Sequence, residues 1–388
     1  MSQVIGTNVS SLNAQRNLNT SGASLQTSLQ RLSSGMRINS AKDDAAGLAI
    51  SNRFTSQING ADQAVRNAND GISLAQTAEG SLGTITDNLQ RMRQLAVQSA
   101  NATNSSSDRA ALQTEVGQLK SEIDRVANNS TFNGVNLLNG SSSSFVFQVG
   151  ANTSANDTVT ISGLQNNTLA GLSSVSSAST QSTAISSLGT GALNGTTNSL
   201  SINGTNIGAL TATGTSQQRA AQVVDAINKI STTTGVNAYI DSTAGTINLT
   251  SGSNIALTQT EASSGSQTAL TGFGATTANA STTTGLTTLD ISSFSGAQLA
   301  IQQIDSALGQ VNSQRATLGA VQNRFSSVVT NLQTTSENLS ASRSRIQDTD
   351  FAAETANLTK SQILQQAGTA MLAQANSLPN NVLSLLKG

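Results

Sequence analysis

Apolar residues recur every seven positions at Leu364, Met371, Leu378 and Leu385, and a second row, Gly368, Ala375 and Val382, follows at four. Such spacing is the seam of a coiled coil, and a seam requires a partner. The opposite end of the chain supplies one: Leu18, Leu25 and Leu32 are seven apart, with Leu29 and Met36 four residues after the last two of them. The first expectation is that the two ends pair.

Neither end reads as an independently folded helix. No charged residue lies between Lys360 and Lys387, and none precedes Arg16. Charge therefore cannot hold these segments in register. Each buried Leu or Met returns roughly 1.5–3 kcal/mol, against about 1–2 kcal/mol for every backbone residue ordered. One pair alone loses that contest, so the ends are expected to be largely disordered in a monomer and helical when many copies pack together.

The rest of the composition narrows the function. Charged residues are 10% of the 388, aromatics 2%, and the formal net charge is −1. There is no electrostatic footprint for nucleic acid or an anionic membrane. Cys, His and Trp are absent. Their absence removes disulfides, thiolate sites and the commonest general base and metal ligand. No cofactor is expected. The N-terminal stretch lacks a basic segment followed by an apolar one, so it does not read as a secretory signal. The uncharged C-terminal stretch is interrupted by Gln362, Gln365, Gln366, Gln374 and Asn376 and does not read as a membrane span.

Along the chain, Gly35 and the polar residues near Asn39 and Ser40 break the first helical pattern, and Ser40 three before Asp43 resembles a weak capping box restarting it. Ile58, Ala61, Val65, Ala68, Ile72, Ala75, Leu82, Leu89 and Ala96 then mark one face of a helix from about Ala45 to Ala100, roughly 80 Å long at 1.5 Å per residue. A third helix starts near Asp108. Phe132-Asn-Gly-Val and two alternating stretches beginning at Phe145 and Thr158 read as β-hairpins.

From about Ala170 to Gly285 the chain is rich in Ser, Thr, Gly and Ala, and much of it reads as loop. One block is better organised: a strand at Ser199, a helix from Ser216 to Ile230, and strands at Val236–Ile240 and Thr246–Thr250. Helical language returns near Ser295, where Ile304, Val311, Leu318, Phe325, Leu332, Leu339 and Ile346 form an unbroken heptad row. The step from Ile346 to Leu364 is a stutter, and it mirrors the joint near residues 34–42. The fold class expected is mainly α with an inserted α+β region, an elongated hairpin-like chain with terminal coiled-coil helices, a long-helix bundle with β-hairpins and an exposed middle. Ala-rich, weakly charged helices suit side-by-side packing in a heterologous polymer.

Both ends resemble one family, the bacterial flagellins. The resemblance rests on Gln30 to Ser51, Arg66 to Gly80, Leu89 to Gln98, Gly319 to Phe325, Ser342 to Phe351 and Ile363 to Leu386, in that order over more than half the chain. The block at Ser199 to Ser251 also looks like the β-α-β-β motif of flagellin and hook-protein variable regions. The resemblance implies a filament subunit, exported unfolded through the flagellar type III apparatus with a chaperone on its C-terminal segment. It implies folding at the tip beneath a cap protein, contact with a hook–filament junction protein, and an extracellular helical homopolymer that gives motility.

On this reading residues 1–42 and 349–388 are the halves of an inner coiled coil, 43–175 and 289–348 those of an outer helical domain, and 176–288 the exposed variable domain. Host recognition is implied too: Asp43 and Gly47 fall at positions that matter to a plant receptor kinase, and Arg91, Leu95 and Glu115 match positions contacted by Toll-like receptor 5. Two other readings are weaker. The related junction protein is disfavoured by the flagellin-like stretches at both ends. The other is an enzyme or a carbohydrate-binding module in the insert; an enzyme would need convergent ionisable groups, and the insert offers only scattered ones, Asp157, Arg219, Asp225, Lys229, Asp241 and Glu261.

Overall fold

A computed structural model describes residues 7–387 except 102, 143, 194, 196–198, 242–243 and 261–265; the side chains of 266–267 and 378–387 are also outside the description. Helices α1 (Val9–Ser34), α2 (Ala45–Ser99) and α3 (Ser106–Asn129) come first. Strands β1 (Thr131–Phe132), β2 (Val135–Asn136), β3 (Ser144–Gln148), β4 (Thr158–Ser162) and β5 (Ser174–Gln181) follow. Next are β6 (Ser199–Ile202), β7 (Thr205–Asn206), α4 (Ser216–Lys229), α5 (Ser231–Thr234), β8 (Val236–Asp241), β9 (Thr246–Ser251) and β10 (Ile255–Thr260). Then α6 (Ser266–Thr271), β11 (Thr276–Ala278) and β12 (Ser281–Thr284) lead to the last helices, α7 (Phe294–Gln347) and α8 (Phe351–Lys387). The chain is mainly helical, with a β-rich middle, as its periodicities predict.

The chain divides into two compact units, one drawn from residues 1–69, 148–159 and 326–388, the other from 70–147 and 160–325. In the first, α1 packs on α8. The Asn8 side chain caps α1 by accepting from Ser11 N and also donates to the Ala375 carbonyl at 2.8 Å, so the cap of one terminal helix is a rung to the other. The α1 helix stops at Gly35, whose φ of 70° is the left-handed C-terminal cap glycine favours. The two joints expected from sequence are tied to each other. Arg37 N donates to the Gln347 carbonyl at 2.7 Å, and Thr349 N to the Gly35 carbonyl at 3.0 Å.

In the second unit, Leu74, Ala78, Leu82, Ile85, Leu89, Met92 and Ala96 form the buried stripe of α2, at the three-and-four spacing of a core-facing helix. Val116 and Ile123 of α3 and Ile304, Val311, Leu318 and Phe325 of α7 are buried as well. The α2 helix runs through Glu79-Gly80 without a break, because one exposed glycine costs a helix only about 1 kcal/mol. Polar positions beside the α7 row are met by side chains of α2: Gln322 Nε2 donates to Glu79 Oε2 at 2.8 Å. In the first unit, likewise, Arg343 donates to Thr55 Oγ1 at 3.2 Å. The β1–β2 hairpin turns through Asn133 and Gly134, both at positive φ (49° and 78°), as an Asn-Gly hairpin requires.

The middle region holds two four-stranded antiparallel sheets, ordered β11-β10-β6-β7 and β12-β5-β9-β8. Strands β6, β8 and β9 and helix α4 stand where the sequence places them. Strands β5, β10, β11 and β12 lie in what reads as loop. Their residues are largely Ser, Thr and Ala: β5 is Ser-Val-Ser-Ser-Ala-Ser-Thr-Gln and buries Ala178 alone. Hydropathy alternation is nearly silent there, while Thr still fits a pleated, paired surface. One buried core joins the sheets to α4 through Ala220, Val223, Ile227, Leu249 and Leu257.

Candidate functional site

The terminal pair is the first candidate. Its closest face is made of small residues. Ser21 and Ser28 of α1 are buried, and on α8 the buried Glu354, Ser361 and Ala375, with half-buried Gly368, repeat every seven positions. A Cβ on Gly368 would stand 3.2 Å from Leu18 Cδ1, so the helices approach closely there. Leu18, Leu25, Leu32 and Met36 are half-buried. Leu29 is 49% exposed, Leu364 49% and Met371 63%. Leu378, Val382 and Leu385 fall among the side chains outside the description. The single chain thus uses the small-residue row internally and leaves much of the large apolar row open.

A groove of about 1100 Å³ runs between α1 and α8, lined by Asn13, Asn17, Thr20, Thr27, Leu364 and Met371 among others. Glu354, nearly buried, faces Arg31 across its floor at 3.7 Å. Serine spacing carries no hydropathy signal, which is why the small-residue face is not read from the sequence.

The second candidate is the joint after α1. Asp43 Oδ2 accepts from Asn39 N at 3.1 Å, Ser40 N at 2.9 Å and Ser40 Oγ at 3.0 Å. Those Ser40 and Asn39 donors hold the Asp43 carboxyl below its usual range. Gly47 N donates to Asp44 Oδ1 at 2.8 Å, and a Cβ at Gly47 would lie 2.4 Å from Asp44 Oδ2 and 2.7 Å from Ile38 Cδ1. Only glycine fits between that carboxylate and buried Ile38. Both residues therefore have a structural task in shaping the joint.

The third candidate is the Arg91–Glu115 pair linking α2 to α3. Arg91 Nε donates to Glu115 Oε1 at 2.8 Å, and both side chains are about half exposed. Leu95 is 1% exposed and packs inward, so it offers no surface beside them. Nearby, Arg93 binds Asp305 in bidentate fashion at 2.6 and 3.3 Å.

Among the described residues no group of three or more acidic, Cys or His side chains is placed to hold a metal, and no helix is long and apolar enough to cross a membrane. What the described surfaces offer is a row of half-exposed large apolar side chains on α1 and α8, Leu29, Leu364 and Met371, beside a joint tied by backbone hydrogen bonds. This defines a structural protein of helical assemblies.

Family models agree. The bacterial flagellin N-terminal helical region matches residues 5–143, the C-terminal helical region 301–386, and the flagellin hook IN motif 199–253. The B-type flagellin of Pseudomonas aeruginosa is 39% identical over the whole of both chains, and flagellin B of Vibrio anguillarum 44% identical over 98% of this chain and 99% of its own. The solved FliC of Burkholderia pseudomallei is 27% identical, with a TM-score of 0.41 over 66% of this chain and 99% of its own. The chain belongs to the bacterial flagellins, structural subunits of the extracellular flagellar filament rather than enzymes.

Proposed function

We propose that the subunit polymerises through its terminal helices, with the Leu29, Leu364 and Met371 row buried against other copies. The observation that carries this is the half-exposed heptad row itself. Burying the open half of those three side chains releases roughly 2–4 kcal/mol per chain, which one α1–α8 pair leaves unclaimed. Residues 1–42 and 349–388 make the inner coiled coil, 43–175 and 289–348 the surrounding helical layer, and 176–288 the exposed domain. In the proposed seam Leu18, Leu25, Leu32 and Met36 belong to the N-terminal segment and Ala375, Leu378, Val382 and Leu385 to the C-terminal one.

The same weakness of the isolated ends suits export in an unfolded state through the type III apparatus, with a chaperone covering the apolar C-terminal stretch and a cap protein supervising folding at the tip. A hook–filament junction protein with a like seam would seat the first subunits. Host receptors read surfaces kept for assembly: Toll-like receptor 5 the Arg91–Glu115 pair, with Leu95 beneath it as packing, and a plant receptor kinase the joint shaped by Asp43 and Gly47.

The test is seeded polymerisation followed by electron microscopy, with the full chain beside a Leu364→Gln/Met371→Gln variant. Both positions are exposed, so the variant monomer keeps its melting profile. Long filaments from the parent and none from the variant support the proposal; equal filaments from both overturn it.

A further inference from the structure

The sheet ordered β12-β5-β9-β8 has two unlike faces. Ala178, Ala238, Ile247 and Leu249 point into the buried core of the middle region. Strand alternation sends the intervening residues to the other face, and the register sets Asn248 directly between Gln181 of β5 and Tyr239 of β8, with Thr250 next to Ser179. Over this polar face lie the first turns of α7. Ser295, Gln298 and Gln302 share one side of that helix, and Phe294 meets the Tyr239 ring at 4.9 Å between centroids, tilted 53°.

The two surfaces border a cleft of about 240 Å³ that, among the described residues, no charged one lines. Its wall offers hydroxyls and amides beside one aromatic ring. The Tyr239 phenol is engaged by the Ser295 and Asn248 side chains. The amides of Gln181, Gln298 and Gln302, by contrast, have no hydrogen-bond partner among the described residues. Gln298 is half-buried and Gln181 and Gln302 are exposed, so their amides border the open space and are free to meet a ligand there.

We propose that this cleft binds a single neutral sugar ring. Side-chain amides donate and accept from one planar group, which matches the paired donor and acceptor character of sugar hydroxyls, and an aromatic face suits the ring's C–H side. Phosphates and carboxylates find no cation. The volume is that of about eight waters at roughly 30 Å³ each, below the roughly 300–1,000 Å³ of sites for larger ligands, so one ring fits and a chain does not.

Tyr239 is the protein's only tyrosine and there is no tryptophan. Tyrosine emission of the full-length monomer therefore reports on this cleft alone. It is to be followed during titration with D-glucose, D-galactose and N-acetyl-D-glucosamine, with D-glucuronate as the charged control. The proposal expects a saturable change for at least one neutral sugar, with Kd on the order of millimolar, no saturable change for glucuronate, and Kd raised fivefold or more in Gln298→Leu. Gln302→Ala, at an exposed position that tolerates truncation, is the second variant and weakens binding in the same direction. Emission that changes only linearly up to about 100 mM of every neutral sugar, or a Kd unmoved in both variants, overturns the proposal.

Discussion

Gly71 and Gly80 lie on the same long helix and differ in what surrounds them, and that difference sets a measurable stability gap. A Cβ built on Gly71 would stand 2.7 Å from Phe325 Cζ, 2.9 Å from Cε2 and 3.1 Å from Cε1. Phe325 cannot yield outward: it is 0% exposed, and the Phe147 ring stands edge-on to it at 5.6 Å and 89°. A Cβ on Gly80 meets nothing within 4 Å. Both Gly→Ala substitutions gain the same helix propensity, about 1 kcal/mol. Only Gly71→Ala adds overpacking, which costs about 1–3 kcal/mol. Gly80→Ala is therefore expected to stabilise, and Gly71→Ala to fall about 1–3 kcal/mol below it, or roughly 2–4 °C per kcal/mol for a unit of this size. Thermal unfolding of the full-length monomers by circular dichroism measures the gap, and Phe325→Leu introduced into Gly71→Ala should narrow it by giving the new methyl room. Equal stabilisation by both alanines would refute the packing argument.

The Asp43 carboxyl is held below its ordinary value by Ser40 and Asn39, so its contribution to the joint is complete above the unfolded value of about 3.9 and is lost as pH falls through the lower folded value; the Ser40 amide shift in NMR should titrate below pH ~3.9, and Asp43→Asn should abolish that titration. Gly47→Ala should open the joint, because the new methyl presses on the Asp44 carboxylate and on Cδ1 of buried Ile38; faster exchange of the amides at positions 47 and 48, with α3 unaffected, is the readout. Arg91→Ala removes an exposed ion pair and should lower the melting temperature by an amount corresponding to less than about 1 kcal/mol, while binding to a Toll-like receptor 5 ectodomain falls at least tenfold; unchanged binding would remove that pair from the recognition proposal.

Much of this architecture is legible in the sequence because large apolar side chains at helical spacing carry the signal. Most of the α2 stripe, with Val65 and Ile72 only half-buried, and the α7 row from Ile304 to Phe325 bury as their periodicity predicts, and the breaks at Gly35 and after Gln347 fall where the heptads change phase. Less is legible where contact is made by small residues. Ser21, Ser28, Ser361 and Gly368 form the close face of the terminal pair, yet none of them raises local hydropathy. Strands β5 and β12 hide for the same reason, since backbone pairing rather than buried volume defines them. Leu95 shows the converse: the resemblance implies a receptor contact there, but its helical phase turns it into the core. The fit of Gly71 against Phe325 joins residues far apart in sequence, and periodicity within either helix says nothing of it.

In the proposed assembly the ends of the chain carry a seam that only other copies complete. Hydrogen–deuterium exchange of the amides in α1 and α8, compared between dilute monomer and assembled filament, tests it most directly. Weak protection is expected in the monomer, far below that of the buried α2 stripe, and strong protection in the filament. Protection in the monomer equal to that of α2 would show that the α1–α8 pair is stable by itself, and would contradict the claim.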